Sequence, residues 1–281
     1  MSLQPNTYLL HALTNLHPGS EGTNTGIVDN LVQRDAVTGI PIIHASGMKG
    51  SLRELFEEVI LKNATSNISQ SDINFIFGPN SKSKEFTQGN YKFFQADLLS
   101  IPVRSNQRPY FNATSPEILR TFLREMEKFM NPNYKSWQKL LQPLIDTLPA
   151  LGRPKYFGET HSNLSIDDAS YEPEGPIKSI EISNDHRILL GENVVIFHHD
   201  DFKHICSKLP VIARNKLLDG ESKNLWYEEF VPRESRFWFQ ILKPTGDSKL
   251  DDGLSKANNL FQVGGNASVG FGFCSLTNLN I

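Results

Sequence analysis

Three groups of residues in this chain have types and spacings suited to phosphate chemistry. Asp29 follows a Gly/Ser/Thr-rich stretch that begins His17-Pro18-Gly19-Ser20. A single carboxylate can hold a divalent cation together with waters, and the cation can stabilise charge that builds on a phosphate. His17, in the same stretch, could shuttle a proton or orient the loop by hydrogen bonding. Lys49 and Arg53 stand four residues apart on a segment that opens Ser46-Gly47-Met48-Lys49-Gly50. A second glycine-rich segment runs Gly264-Gly265-Asn266-Ala267-Ser268-Val269-Gly270. Glycine has no Cβ, so its backbone N–H can approach an anion directly.

Each of these has a plainer reading. An Asp in a loop is most often a turn former or a cap, and a lone Lys or Arg is most often a solvated surface cation. The Lys49 segment is less ordinary. Helix N-termini favour Asp or Glu, so two cations there invite an external anion such as a phosphate. The second glycine segment lacks the Gly-Lys-Ser/Thr ending of a Walker loop. No strand–GxGxxG–helix order surrounds it either, so it is not a dinucleotide fingerprint. His198, His199, His204 and Cys206 cluster loosely but match no standard zinc spacing. Glu228 and Glu229, within Leu225 to Pro232, could face the same phosphate as Asp29 or blunt an exposed strand edge.

Taken together, His17-Pro18-Gly19-Ser20, Val28-Asp29-Asn30, Val32 to Gly50, Leu225 to Pro232 and Gly264 to Gly272 resemble the RAMP superfamily. Within it they resemble the backbone subunit of type III-B (Cmr) CRISPR effector complexes. The pieces occur in the family's order and span nearly the whole chain.

The resemblance implies a ferredoxin-like, RRM-like core with an inserted lid and a projecting hairpin, the thumb. It implies cleavage of target RNA at Asp29 with a divalent cation (Mg2+ or Mn2+), His17 and Glu229 in support. The products it implies are a cyclic phosphate and a 5′-hydroxyl, with the neighbouring ribose 2′-OH as nucleophile. It implies RNA contacts from Gln33, Arg34, Ser46, Lys49, Gly50, Arg53, Arg214, Trp226, Gly264, Gly265, Asn266, Ser268 and Gly270. The partners it implies are guide (CRISPR) RNA, target RNA, further copies of the chain and other subunits of the effector complex. Two alternatives stay open: a guide-coating scaffold that does not cut, and a stand-alone guide-precursor endoribonuclease working without metal. The absence of a paired-His or His/Lys constellation beside Asp29 counts against the second.

This chain departs from the family pattern twice. Glu21 intervenes before Gly22, where the family loop closes with Gly directly after Gly-Ser. Phe271 stands between Gly270 and Gly272, where relatives often carry a cation, so one phosphate contact is lost from that loop.

The whole-chain properties frame these sites. A chain of 281 residues with 38% hydrophobic and 21% charged residues is ordinary for a soluble globular protein. The formal net charge of −3 argues against coating nucleic acid by bulk charge, so any RNA site is a local stripe. Arg34, Lys49, Arg53, Arg104, Arg108 and Arg214 are its candidates. Two cysteines are too few for a disulfide framework, and a reducing cytoplasm is the expectation. No apolar run reaches membrane-spanning length, and the first residues lack the pattern of a signal peptide.

Elements that would position the sites follow from pattern. Thr7 to Leu13 and Ile40 to Ile43 read as strands, and Ile27 to Gln33 as an extended stretch. Ser46 is expected to cap a helix whose core face is Met48, Leu52, Leu55, Phe56 and Val59. Tyr91 to Val103 reads as a strand or hairpin. Ser115-Pro116-Glu117 opens a helix with Ile118, Phe122, Met126 and Phe129 inward. Asn131 to Asp185 is rich in Pro, Ser, Asn and Asp and reads as an insertion, the lid. Val211 to Pro232 reads as a hairpin turning at Asp219-Gly220. Its Leu217, Leu218, Leu225 and Trp226 would suit a wedge between bases. The expectation is one α+β domain with its core over 1–130 and 186–281, the lid over about 131–185 and the thumb over about 211–232.

Overall fold

The computed structural model describes residues 2–20, 28–62, 67–79, 88–161, 163–167, 170–218 and 221–280. Glu21, Gly22, Ile27, the Asp219-Gly220 turn and the side chains of Leu217 and Leu218 lie outside the described part.

In chain order the first half holds β1 (Leu3–Ala12), β2 (Ile42–Ile43), α1 (Ala45–Leu55), a π-helical turn (Phe56–Ile60), α2 (Gln70–Phe77), β3 (Lys92–Phe93), β4 (Ala96–Val103), β5 (Phe111–Thr114) and α3 (Pro116–Lys128). Next come α4 (Tyr134–Ile145), β6 (Lys155–Tyr156), α5 (Asn184–Leu190), β7 (Val194–Ile196) and α6 (His199–Ser207). The chain ends with β8 (Val211–Leu218), β9 (Glu221–Glu229), β10 (Arg236–Pro244), α7 (Lys249–Lys256), β11 (Leu260–Gln262), a 3-10 turn (Ala267–Val269) and β12 (Phe273–Asn278).

Among the described residues, ten strands form one mixed sheet, and β8 and β9 pair separately as a hairpin. The centre of the large sheet runs β12-β1-β10-β4, each strand antiparallel to its neighbour. α1 and α2 lie in the connection from β1 to β4, and α7 in the connection from β10 to β12. This is the split βαββαβ order of the ferredoxin-like fold, so the α+β class expected from the sequence is the class observed. β5 continues the sheet from β4, and β7 joins β5 in the parallel sense.

Both faces of the central strands are covered, which is why β1 carries five consecutive buried residues from Asn6 to Leu10. Tyr8 stacks on Phe239 at 5.5 Å on one side. Trp238 meets Phe122 of α3 edge-on at 5.2 Å on the other.

α3 starts as its sequence dictates. Ser115 accepts a hydrogen bond from the Ile118 N–H, and Pro116 occupies the first turn. α1 does not. Its N-cap is His44, which makes no side-chain cap bond, so Ser46 lies inside the first turn instead of capping it. The end of that helix also differs from expectation. Met48, Leu52 and Phe56 are buried, but the π turn adds a residue to the next turn, so Ile60 faces the core and Val59 is 49% exposed.

Within 131–185, α4 packs on α3 with Trp137 edge-on to Phe122, and β6 adds an edge strand to β7. The β8-β9 hairpin exposes Val211, Ile212, Leu225 and Tyr227. No helix of the described residues is long and apolar enough to cross a membrane.

Candidate nucleic-acid interface

Three stretches far apart in sequence meet at the base of the hairpin. The backbone N–H groups of Asp29 and Asn30 both donate to the Tyr227 carbonyl, at 3.0 and 3.1 Å. In return the Tyr227 N–H donates to Asp29 Oδ2 at 2.8 Å. Asp29 is therefore exposed but held at the edge of β9. Its Oδ1 has no hydrogen-bond partner among the described residues.

Glu228, the next residue, is buried. Its Oε1 accepts from the Trp226 indole at 2.7 Å and from Asn30 Nδ2 at 3.3 Å. Its Oε2 accepts from Asn266 Nδ2 at 2.8 Å and from Arg214 Nε. Burial pushes its carboxyl upward, but the bonds from Trp226, Arg214 and Asn266 outweigh that and hold it below the usual range. One carboxylate thus fastens the first loop, the hairpin and the second glycine loop. Both oxygens of Glu228 are engaged within the protein, and the indole N–H of Trp226 is engaged with it. Trp226 is half-buried against Glu228, so of the expected wedge residues whose side chains are described Leu225 is the exposed one.

Glu229 is also buried. Arg34 Nη2 binds its Oε1 at 2.7 Å, and the Val32 N–H binds its Oε2 at 3.1 Å. Arg34 Nη1 reaches the carbonyls of Gly39 and Cys206. The pair holds the first loop onto β9, and both oxygens of Glu229 are engaged in doing so.

His17 is buried as well, with Nδ1 2.6 Å from the Glu229 carbonyl. A carbonyl only accepts, so Nδ1 carries the proton and the imidazole positions the loop. The His17 carbonyl accepts the Gly265 N–H at 2.8 Å.

Gly264 sits beside that contact at φ +85°, and a Cβ there would lie 2.6 Å from the His17 oxygen. Only glycine fits. The second glycine loop is thus built partly to close on His17. Three of its N–H groups are engaged within the protein, Gly265 to His17, Val269 to Asn266 and Gly270 to Ala267. Ser268 and Gly270 are exposed at its tip. Phe271 has the Arg214 guanidinium 4.9 Å above its ring. The hairpin therefore brings a cation, already paired with Glu228, against this loop.

Gln33 ties this assembly to α1. Its Nε2 donates to the Gly19 carbonyl at 2.9 Å, and its Oε1 accepts the His44 N–H at 2.7 Å. Ser46 and Lys49 then line a cleft of about 510 Å³ with Gly78, Gly89 and Lys92. Burial and the like charges of Arg53 and Lys92 lower the Lys49 ammonium from its ordinary value. Such a site favours an anion. Arg53 is directed inward: Nε binds Glu57 at 2.8 Å and Nη1 the Gly78 carbonyl at 2.9 Å, tying α1 to the end of α2. Gly50 is exposed with open space around it.

Lys92 lies outside the motifs named above; its one local signal is that it precedes Phe93-Phe94 in an apolar stretch. Asn30 and Tyr227 lie within two of those motifs, but nothing in the sequence marks them as the residues that join the first loop to the hairpin.

Among the described residues, no group of three or more His, Cys, Asp or Glu side chains could hold a metal ion. With Glu228 and Glu229 engaged, the described residues offer one carboxylate oxygen here. That donor set fits an ion whose shell is completed by water and by phosphates of a bound nucleic acid, the habit of Mg2+.

A mixed α+β sheet with a hairpin, two closed loops and a cationic cleft defines a class of nucleic-acid-binding protein. The profile of the RAMP superfamily matches residues 9–275. The CRISPR system Cmr endoribonuclease Cmr4 of Pyrococcus furiosus is 30% identical over 285 residues, covering 95% of this chain and 93% of that protein. The chain thus belongs to the RAMP superfamily, and within it to the type III-B Cmr4 group.

The CRISPR system Cms endoribonuclease Csm3 of Streptococcus thermophilus is 36% identical over 115 residues, 37% of this chain and 52% of that one. The fold is shared with a type III-B Cmr-beta complex bound to cognate target RNA (20% identity, 98% of this chain and 96% of that chain, TM-score 0.76). It is also shared with oligomeric Cmr4 from Pyrococcus furiosus (23% identity, 99% of each chain, TM-score 0.67).

Proposed function

We propose that this chain is the repeated backbone subunit of an RNA-guided type III-B ribonucleoprotein. It grips guide RNA along its cationic cleft and glycine loop, and cleaves the paired target RNA once per stacked copy. The observation that carries this reading is Asp29. It is an exposed carboxylate fastened to the base of the hairpin, with one oxygen uncommitted among the described residues, in a chain 30% identical to a Cmr endoribonuclease. The rest of the apparatus exists to keep it there.

The chemistry we assign is attack by the ribose 2′-OH on the adjacent phosphorus. The 2′-OH gives its proton to water as it attacks, the P–O5′ bond breaks, a 2′,3′-cyclic phosphate forms, and the 5′-oxygen leaves as a hydroxyl with a proton taken back from water. Asp29 would hold a divalent cation, which would supply stabilisation of the charge on the phosphate worth several kcal/mol. Asp29 is the positioned carboxylate, His17 holds the loop that carries it, and the Arg34–Glu229 pair fixes that loop to β9. Two of the exposed apolar side chains of the hairpin, Leu225 and Tyr227, would separate bases next to the cut. Lys49 and Lys92 take guide phosphates.

The test is reconstitution of the complex with guide RNA and a labelled target. The expected result is regularly spaced cuts with cyclic-phosphate ends, lost in Asp29→Ala and on chelation while target binding persists. Cutting at the wild-type rate by Asp29→Ala would assign the nuclease to another subunit and leave this chain a scaffold.

A further inference from the structure

A second cavity, of about 650 Å³, lies between α3 and the sheet, away from Asp29 and the glycine loop. Asp97 of β4 and Trp238 of β10 are paired across the sheet, and Gln240 lies two residues further along β10 on the same face. These three form its floor. Phe94 and Phe129, edge-on at 4.9 Å, supply an aromatic wall. Asp35, Glu117 and Glu125 stand around it.

Two features of the floor are incomplete. Gln240 is 2% exposed, yet neither its Oε1 nor its Nε2 has a hydrogen-bond partner. Buried amides are almost always bonded, because an unmade bond costs the full desolvation of the group. Asp97 is half-buried and accepts one bond, from Gln95 at 2.8 Å, and no cation among the described residues pairs with it. Burial pushes its carboxyl up to about 6, the Gln95 bond opposes this, and the charges of Asp35 and Glu125 add to it. The cations lining the cavity do not correct this. Arg124 is exposed and directed to Thr121 and Glu125, and His199 bonds Ser115, with burial lowering its pKa.

The missing ligand must bring several N–H donors, positive charge and an apolar or flat body. A nucleic acid would bring phosphates toward four carboxylates, which is unfavourable. We propose that this cavity binds an arginine side chain presented by a protein partner. Its guanidinium would sit on Asp97 and the Gln240 carbonyl, with its stem along Trp238 and Phe94. The planar fork can give two N–H groups to the carboxylate and a third to Oε1. The Gln240 amide then donates to a carbonyl of the partner's backbone. An ammonium group lacks this fork geometry and is more strongly hydrated, so arginine is favoured over lysine.

The test follows the Trp238 indole resonance of the full chain while Ac-Gly-Arg-Gly-NH2 is added. Saturating shifts are expected with a dissociation constant on the order of 1–10 mM, the scale of one anchored side chain. The Lys peptide should bind at least threefold more weakly, and the Leu peptide should leave the resonance unmoved. Asp97→Asn, nearly isosteric, should weaken arginine binding about tenfold, and Gln240→Leu should weaken it similarly. Glu125→Gln, a change on the α3 surface that spares the floor, should weaken it two- to threefold. If the same resonance shifts on dilution of the protein alone, and Asp97→Asn abolishes that shift, the arginine belongs to a second copy. A peptide response without self-response assigns it to a different protein. Equal binding by wild type and Asp97→Asn, or a response to an RNA oligonucleotide and none to the arginine peptide, would overturn the proposal.

Discussion

The Tyr227 N–H holds Asp29 Oδ2 at 2.8 Å while the Tyr227 carbonyl accepts the Asp29 N–H at 3.0 Å. This reciprocal clasp makes the catalytic candidate part of the hairpin's base. A carboxylate in a loop of its own would be free to swing; this one is aimed by a strand.

That clasp separates two substitutions at Asp29. Asp29→Asn keeps an acceptor for Tyr227 but removes the charge, and Asp29→Ala removes both. Cleavage should be lost in each. Thermal stability should fall by ~1 kcal/mol or less in Asp29→Ala, the usual worth of an exposed hydrogen bond, and stay unchanged in Asp29→Asn. Retained cleavage in Asp29→Asn would rule out a charged carboxylate in the reaction.

Glu228→Ala should be among the most disruptive single changes at this site. It leaves Arg214 as a largely buried, unpaired cation and removes the acceptor of Trp226 and Asn266. A loss of ~3 kcal/mol in denaturant unfolding is expected, typical of breaking a buried pair. The pH dependence has a definite sign. The folded carboxyl titrates lower than the unfolded one, so its stabilisation is present above the ordinary glutamate value of 4.5 and fades as the pH falls below it. Urea midpoints between pH 3 and 7 should therefore converge for wild type and mutant at the acid end.

Asp97 behaves oppositely. Burial pushes its pKa up to about 6, above the ordinary aspartate value of 3.8, so the folded state binds the proton more tightly. Relative stability is present below pH 3.8 and is lost as the pH rises through 6. Asp97→Asn should stabilise the isolated chain at pH 7 by at most ~3 kcal/mol, two pKa units' worth, reduced by solvent screening of a half-buried group. A mutant no more stable than wild type at pH 7 would show that Asp97 already has its cation.

Lys49→Gln should weaken RNA binding without loss of fold, because its ammonium makes no ion pair within the described residues. Adding Lys92→Gln should weaken binding further. If each lysine holds one phosphate of single-stranded guide, the slope of log affinity against log salt should flatten by roughly 0.7 per substitution. Arg53→Ala is a poor probe of the same contact. Its guanidinium ties α1 to Gly78, so its loss should lower stability first.

Gly264→Ala should disturb the second glycine loop at its anchor. The residue would be strained at positive φ by ~1–2 kcal/mol and would press on the His17 carbonyl. Weaker RNA binding with Asp29 chemistry slowed through a displaced first loop is the expected outcome, read as a fall in both affinity and cleavage rate. Full activity would show that the loop closure on His17 is dispensable.

The sequence by itself determined the elements and the family. Period and caps located α3, opened by Ser115 and Pro116, because those signals act within one turn. Strand alternation and the turn residues located the hairpin. Motif order located Asp29. What only the tertiary structure decided is which groups are engaged. Asn30 and Glu228 are 198 residues apart, and Arg34 and Glu229 195 apart, and no local periodicity records a bond across such distances. For the same reason Glu229, Arg34, Arg53 and Trp226 read as site residues in the sequence and prove to be anchors in the fold. The π turn that buries Ile60 in place of Val59 answers to packing, which overrides the 3.6-residue period. The unsatisfied Gln240 amide and the unpaired Asp97 become visible only when β4, β10 and α3 meet, because an unmade bond has no signature until its surroundings are assembled.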